Sequence, residues 1–478
     1  EAGSIRLWAR YQLLDSGGAA TGNTITGSSN SFVNRPAGFC MESPDANWQC
    51  STPALDAGCT AFKQAGDNFN LSVTAKRYSA GSTDYCSHST TNNFTNSVDL
   101  SHSLISPTAI DGGQAGNFSL SSVNLNSGVG TSALANFDDM GVFSLSAGGN
   151  TYLTVALPRN DSENIGRFYP KRFSITTSTA ATYDNGNTGF TYTGQLESDG
   201  TTGSISYLTA PDFTFEVQGY NNQTLNNYLT PLYSTPVVSA SASSTTQGNV
   251  PSAMTLTAGW SAGSISGPDI NDRYTYTFNM ADHFVFNRTQ NSLIAPFNND
   301  TRITISSFIE PVDSVDIASS ETILGTGGPI YYGRIRIDNA YGPETEPVPQ
   351  LFKAEYFDGT KFIFNDLDNG SDYDLVGINT ILVTDVGNAT NNLDNDDSTI
   401  SGDIADTGML VNGEFLSNWS VPVNGRYGSY SFMYAVENWL KYDWNGSGDG
   451  VDEDPSGTVN FGQFRGNDRV IYWKEINY

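Results

Sequence analysis

Between Asp443 and Asp454 the chain reads D-W-N-G-S-G-D-G-V-D-E-D, a twelve-residue run in which oxygen-bearing side chains recur at alternate positions. Counted as a loop, it puts Asp443 at position 1, Asn445 at 3, Ser447 at 5, Gly448 at 6, Asp449 at 7 and Asp454 at 12. Calcium takes six to eight oxygen ligands at roughly 2.3–2.6 Å, and a glycine that permits a sharp turn lets one short loop wrap an ion. The spacing therefore predicts a Ca2+ site held by Asp443, Asn445, Ser447, Asp449 and Asp454. It departs from the usual pattern at position 12, where Asp is shorter than the bidentate Glu, and no second helix follows. The competing reading is an acidic, solvated turn. Asp366, Asp368, Asp372 and Asp374 form a second acidic group, and Asp394, Asp396, Asp397 and Asp403 a third. In so acidic a chain these read as solvated loops.

Other candidate chemistry is thinner. Gly259, Trp260, Ser261, Ala262 and Gly263 spell G-x-S-x-G, with His283 downstream. A serine nucleophile elbow needs a strand-turn-helix in an α/β sheet, and the flanking pattern supplies none. Acidic residues are too many to single out the carboxylate pair of a glycosidase. Trp439, Trp444 and Trp473 surround the acidic loop and form a possible stacking platform for sugars, the alternative being that they fill sandwich cores. Cys40, Cys50, Cys59 and Cys86 are an even set without a C-x-x-C pair, in a chain with three His, which fits two disulfides rather than zinc. Their pairing is open at this point.

The elements that must position these residues are strands. Phe69, Leu71, Val73 and Ala75 alternate with polar neighbours, as do Phe213, Phe215 and Val217, Ile303 and Ile305, and Ile335 and Ile337. Period-two alternation marks half-buried antiparallel strands, and many of them between Gly/Asn/Asp turns predict an all-β chain of tandem antiparallel β-sandwich, Ig-like domains with little helix. One exception is a short helix over Phe432–Leu440, where Phe432, Met433, Val436, Trp439 and Leu440 could share a face. The 478 residues suffice for roughly three domains. Composition shifts place them at 1–160, 165–268 and 270–478, with a further division near 350 left open. Val459–Arg465 and Arg469–Trp473, around Gly466–Asp468, read as a closing hairpin.

Charge narrows the partners. The 22 Lys and Arg against 50 Asp and Glu give a net charge of -28, the wrong sign for nucleic acid. No apolar run approaches the roughly eighteen residues of a transmembrane segment. The chain opens at Glu1 without a signal-type leader, so any export or anchoring segment is expected upstream.

Several blocks carry a resemblance: FKQAGDNFNLSV (Phe62–Val73), IGRFYPKRFSI (Ile165–Ile175), YYGRIRIDNAYGPETEPVPQLFKAEYFDG (Tyr331–Gly359) and, most specifically, LKYDWNGSGDGVDEDPSGTVNFGQFRGNDRVIYWKE (Leu440–Glu475). They resemble the long C-terminal region of the MSHA (mannose-sensitive haemagglutinin) type IV pilus biogenesis protein Q family, and the likeness covers essentially the whole chain. The resemblance implies an exported, non-enzymatic surface protein of a Gram-negative bacterium, extracellular or on the outer cell surface, reached through the periplasm. Pilus components, other surface proteins or glycans are its implied partners. The family's acidic loop maps onto Asp443, Asn445, Asp449 and Asp454, and Ser447 stands where relatives tend to have Asp. The further cysteine that members often carry near the acidic run after Phe364 is missing, as is the lectin-like domain that they often carry upstream. An adhesion or structural module stiffened by calcium is the expected function; a carbohydrate-binding module or carbohydrate-active enzyme is the alternative.

Overall fold

The computed structural model describes residues 1–51, 58–184, 189–195, 205–228, 232–244, 254–256, 260–288, 292–375, 378–384, 393, 397–402 and 405–462. The protein is all-β, a series of antiparallel-type sandwiches, and among the described residues there is no α-helix, only 3-10 turns. The alternating segments are strands, and their apolar residues are the buried ones. Phe69, Leu71, Val73 and Ala75 point inward from Phe69–Lys76, and Phe213, Phe215 and Val217 from Asp212–Gln218.

The first sandwich packs the sheet Val129–Ala135, Phe69–Lys76, Gly38–Glu42 against a larger one that runs Lys63–Gln64, Ile165–Tyr169, Gly141–Ala147, Asn96–Ser106, Ser122–Leu125. Its core is aromatic, with Phe137 stacked on Phe143 at 4.2 Å and edge-on to Phe168 at 5.1 Å. Offset and edge-to-face rings exploit the quadrupole and add to the area they bury. Two disulfides staple this unit, Cys40–Cys86 and Cys50–Cys59.

The second sandwich sets Arg172–Thr179, Asp212–Gln218, Arg273–Thr277, Ser264–Ser266 against Ser206–Thr209, Ala181–Asp184, Glu321–Thr326, Arg302–Ile309, Val237–Ser243. Phe308 is its hub, edge-on to Phe213, Phe215 and Tyr276 at 5.0–5.2 Å. The third sandwich sets Gly333–Ile337, Val348–Phe357, Glu414–Trp419, Ile400–Gly402 against Ala340–Gly342, Ser456–Phe461, Gly428–Tyr434, Ile378–Thr384. Fully buried Trp419 stacks on Tyr430 there, 5.5 Å away. Among the described residues four strand pairings are parallel, each between an early and a late strand: Lys63–Gln64 beside Phe168–Tyr169 in the first sandwich, Ala181–Thr182 beside Gly325–Thr326 in the second, Thr191–Tyr192 beside Ile330–Tyr331, and Ala340–Gly342 beside Val459–Phe461 in the third.

Three expectations change. The junction read near residue 270 lies inside the second sandwich, because Arg273–Thr277 pairs with Asp212–Gln218 and both feed one core. The first boundary also moves, since Ile165–Tyr169 pairs with Gly141–Ala147 and buries Ile165 and Phe168 in the first core; the third sandwich begins near Tyr331. The helix over Phe432–Leu440 is instead the end of the strand Gly428–Tyr434 and a 3-10 turn, Asn438–Leu440. Tyr430, Phe432 and Tyr434 are all buried at period two, so the strand-forming alternation prevails over the coincidental helical spacing. The turn and second arm of the closing hairpin, with Trp473, lie outside the described residues.

The disulfides should differ in worth. Cys40–Cys86 closes a separation of 46 residues and Cys50–Cys59 one of 9. On the chain-entropy relation these correspond to roughly 4 and roughly 2.5 kcal/mol. Urea unfolding of the Cys40→Ala/Cys86→Ala chain is expected to show the larger loss, and the reverse order would contradict the entropic account.

Candidate functional site

The acidic loop is built by its own backbone. Gly446, Gly448 and Gly450 all take left-handed φ of 64–84° with open space around them, which a side chain would disfavour. Those turns aim amides at the loop's acceptors. The Asp443 carboxylate accepts from the amides of Ser447 at 3.1 Å and Gly448 at 3.2 Å, Asn445 Oδ1 from Ser447 at 2.6 Å, Ser447 Oγ from Asp449 at 3.3 Å, and Asp449 Oδ1 from Val451 at 2.9 Å. Asp443, Asn445, Ser447 and Asp449 therefore share one turn.

Asp454 does not join them. Its carboxylate accepts from the Val436 amide at 3.1 Å and pairs with Lys441 at 3.3 Å. Glu453 reaches into the loop instead, accepting from the Trp444 amide at 3.0 Å and from the Asn445 side chain. Among the described residues the only metal-capable group of three is Cys40, Glu42 and Cys86, and its two sulfurs are spent in a disulfide. Measured against calcium's six to eight oxygens, the turn offers four side chains whose oxygens already serve its amides, so any ion here would keep several waters.

Beside the loop, two arginines organise the seam between the second and third sandwiches. Arg288, at the end of the strand Phe284–Phe286, is buried and lies 3.7 Å over the Tyr332 ring. It pairs with buried Asp452 of the acidic loop at 3.3 Å and donates to the carbonyls of Gly333, Trp439 and Lys441 at 3.1, 2.9 and 2.5 Å. Every one of these acceptors belongs to the third sandwich. Arg334 pairs with Glu355 at 2.7 Å and lies 3.7 Å over Phe362, 4.9 Å over Tyr442 and 4.6 Å over Trp444. Nearby, Tyr192 donates to buried Asp368 at 2.8 Å, which also accepts from the Ser371 amide and hydroxyl.

This arrangement corrects the stacking platform. Trp439 is buried in the third core, and Trp444 is half-buried with Arg334 against its ring. Cation–π pairing and packing use these rings, so neither presents the open face a sugar needs. The second acidic group also separates: Asp368 is buried, whereas Asp366, Asp372 and Asp374 are exposed. Of the third group, Asp397 pairs with Arg426 at 2.9 Å, and Asp394, Asp396 and Asp403 lie outside the described residues. Ser261 leads into the strand Ser264–Ser266 rather than a helix, and its amide donates to Asp282.

The seam between the first and second sandwiches repeats the device. Arg167 donates to the Cys59 carbonyl at 2.9 Å and forms a forked, buried ion pair with Asp313 of the second sandwich. Tyr233 completes it by donating to the Phe168 carbonyl at 3.1 Å. Buried Asp139 accepts from the amides of Met140, Asn226 and Asn227 and from the Asn226 side chain. Burial raises its pKa, and those donors pull the other way. Sequence reading missed Arg167, Arg288, Arg334, Asp139, Asp313 and Asp452. Their only signal is position: each arginine follows or interrupts an alternating apolar run, as any exposed strand residue does.

Removing one partner of a buried ion pair strands the other, at a cost of about 3–5 kcal/mol. Asp452→Ala should therefore destabilise the chain by about 3 kcal/mol, and Arg288→Met with Asp452→Leu by less, in thermal unfolding. Equal stability of Asp452→Ala and the parent would show that the loop does not fasten this seam.

The chain matches three models of one family: DUF6701, second domain, over residues 35–135; third domain, over 139–328; and fourth domain, over 331–476. The divide between the second and third models falls within the first sandwich, whose strands Gly141–Ala147 and Ile165–Tyr169 match the third model. No curated protein matches the chain. Among solved structures it is similar to the FN1–FN3 domains of chicken CNTN1, at 7% identity over 90% of this chain and 99% of that one, with a TM-score of 0.23. It is similar also to the N-terminal eight Ig domains of Down Syndrome Cell Adhesion Molecule (DSCAM) isoform 1.30.30, at 8% identity over 90% and 67%, with a TM-score of 0.11. Since residues 35–476 carry its second, third and fourth domains in order, the chain belongs to the DUF6701 family.

Proposed function

We propose that this protein is an exported, non-enzymatic cell-surface component of an MSHA-type type IV pilus system, serving as a stiff structural or adhesion module. The observation that carries the reading is the sequence of fastened seams: three sandwiches joined by buried arginine–aspartate pairs, with two disulfides beside the first. Disulfides suit an oxidising compartment, and no helix among the described residues is long and apolar enough to cross a membrane. The excess of carboxylates keeps such a body soluble and off anionic surfaces. The resemblance of Leu440–Glu475 to the MSHA protein Q family supplies the pilus association.

The test is made on intact cells. Antibody against the second sandwich should label unpermeabilised cells, the protein should co-purify with sheared pili, and its deletion should reduce mannose-sensitive haemagglutination. Recovery of the protein with free thiols in the cytoplasmic fraction would overturn the reading.

Calcium belongs to the same proposal. A partly hydrated ion on Asp443, Asn445, Ser447 and Asp449 would neutralise the exposed turn, and Asp452 would pass that ordering to Arg288. By mass action, a ligand at 100 times its dissociation constant stabilises the folded form by about 2.7 kcal/mol. Millimolar calcium is expected to raise the melting temperature, and Asp443→Ala with Asp449→Ala to erase most of the rise. An unchanged calcium response in that double variant would assign the run to a solvated turn.

A further inference from the structure

The first 34 residues fold unlike the rest. Trp8–Leu14 and Ala20–Ser28 form a two-stranded hairpin whose strands pair only with each other. Its base is anchored: Gly3–Ile5 pairs with Phe32–Asn34, and buried Ala2 exchanges two hydrogen bonds with Asn93 of the first sandwich. Beyond that base the hairpin is exposed on both faces. Tyr11 stands opposite Ile25, and they are 63% and 58% exposed. Ala9 and Leu13 share their face by strand alternation, while Arg10, Gln12, Thr24 and Thr26 lie on the other together with exposed Trp8 and Leu14.

Such a pattern needs a neighbour. A lone two-stranded hairpin is marginal in water, and one apolar face is the mark of a sheet that packs on something. Natural edge strands are defended by Pro, charged side chains or bulges; Trp8–Leu14 carries Arg10 and a register shift between Gln12 and Leu14, whereas Ala20–Ser28 carries neither Pro nor charge. The edge of Ala20–Ser28 is therefore an open template for strand addition.

We infer that this hairpin is the docking surface for a first-type DUF6701 domain carried on the same polypeptide, whose sheet it extends and whose core its Tyr11–Ile25 face covers. Two observations select that occupant. The matched models are the second to the fourth and the second begins at residue 35, so the hairpin occupies the stretch next to where a first domain would attach. The face is also too small to hold a free partner. Seven residues at about 3.4 Å by two strands at about 4.8 Å give roughly 230 Å², against the roughly 800 Å² per partner of a stable complex. A tethered domain needs far less, because its effective concentration is set by the linker.

Hydrogen exchange of residues 8–28 tests this by comparing the 478-residue chain with the full-length gene product. In the shorter chain these amides should exchange fast, and in the full-length product they should be protected by about a hundredfold or more. Tyr11→Glu with Ile25→Glu should abolish that protection and leave the thermal unfolding of the three sandwiches unchanged, because neither residue enters their cores. Equal exchange in the two chains, or a gene product without a first domain, would overturn the inference. So would protection that rises with concentration in the 478-residue chain alongside a doubled mass in light scattering, which would make a second copy the occupant.

Discussion

A guanidinium buried at each seam is what the rest of this structure depends on. Arg167 and Arg288 each leave one sandwich and bind an aspartate of the next, and each also donates to main-chain carbonyls. A planar fork with five donors can satisfy several acceptors at fixed angles, which a lysine cannot do. The desolvation of such a charge is tolerable only when every acceptor is in place. That requirement makes the relative placement of two sandwiches a specified quantity instead of a property of a linker.

The acidic loop takes on a different meaning in that setting. Its exposed half, Asn445 to Asp449, is a self-satisfied turn, while its descending half inserts Asp452 under Arg288 and lays Glu453 back across the turn. One short segment thus joins a solvent-facing cluster of carboxylates to a buried seam. Arg334, stacked among Phe362, Tyr442 and Trp444, holds the adjoining side. Trp439, Trp444 and the carboxylates, which look like two sites in the sequence, are parts of one fastening.

Strand architecture was legible in the sequence because alternation is local: Phe213, Phe215 and Val217 each announce the face they bury. The clustering of four cysteines announced disulfides for a similar reason, although the pairing needed the fold. Domain limits were not legible. The Ser-rich residues near 240 and 265 have the composition of linkers, yet they are strands of the second sandwich: Val237–Ser243 pairs with Arg302–Ile309 and Ser264–Ser266 with Arg273–Thr277. Long-range pairing leaves no trace in composition. The acidic run was visible, but which carboxylate faces inward was not. Asp452, Glu453 and Asp454 are adjacent, and their separate fates are decided by Arg288, Trp444 and Lys441, brought from up to 164 positions away.

The parallel pairing of early with late strands bears on mechanics. In the third sandwich Ala340–Gly342 lies beside Val459–Phe461, and in the second Ala181–Thr182 lies beside Gly325–Thr326. When two parallel strands near opposite ends of a domain are pulled by their outward ends, they slide along each other, and the hydrogen bonds between them are loaded together. A hairpin pulled at its open end breaks its bonds one at a time. Tension transmitted along this chain would therefore meet a shear clamp in the second and again in the third sandwich.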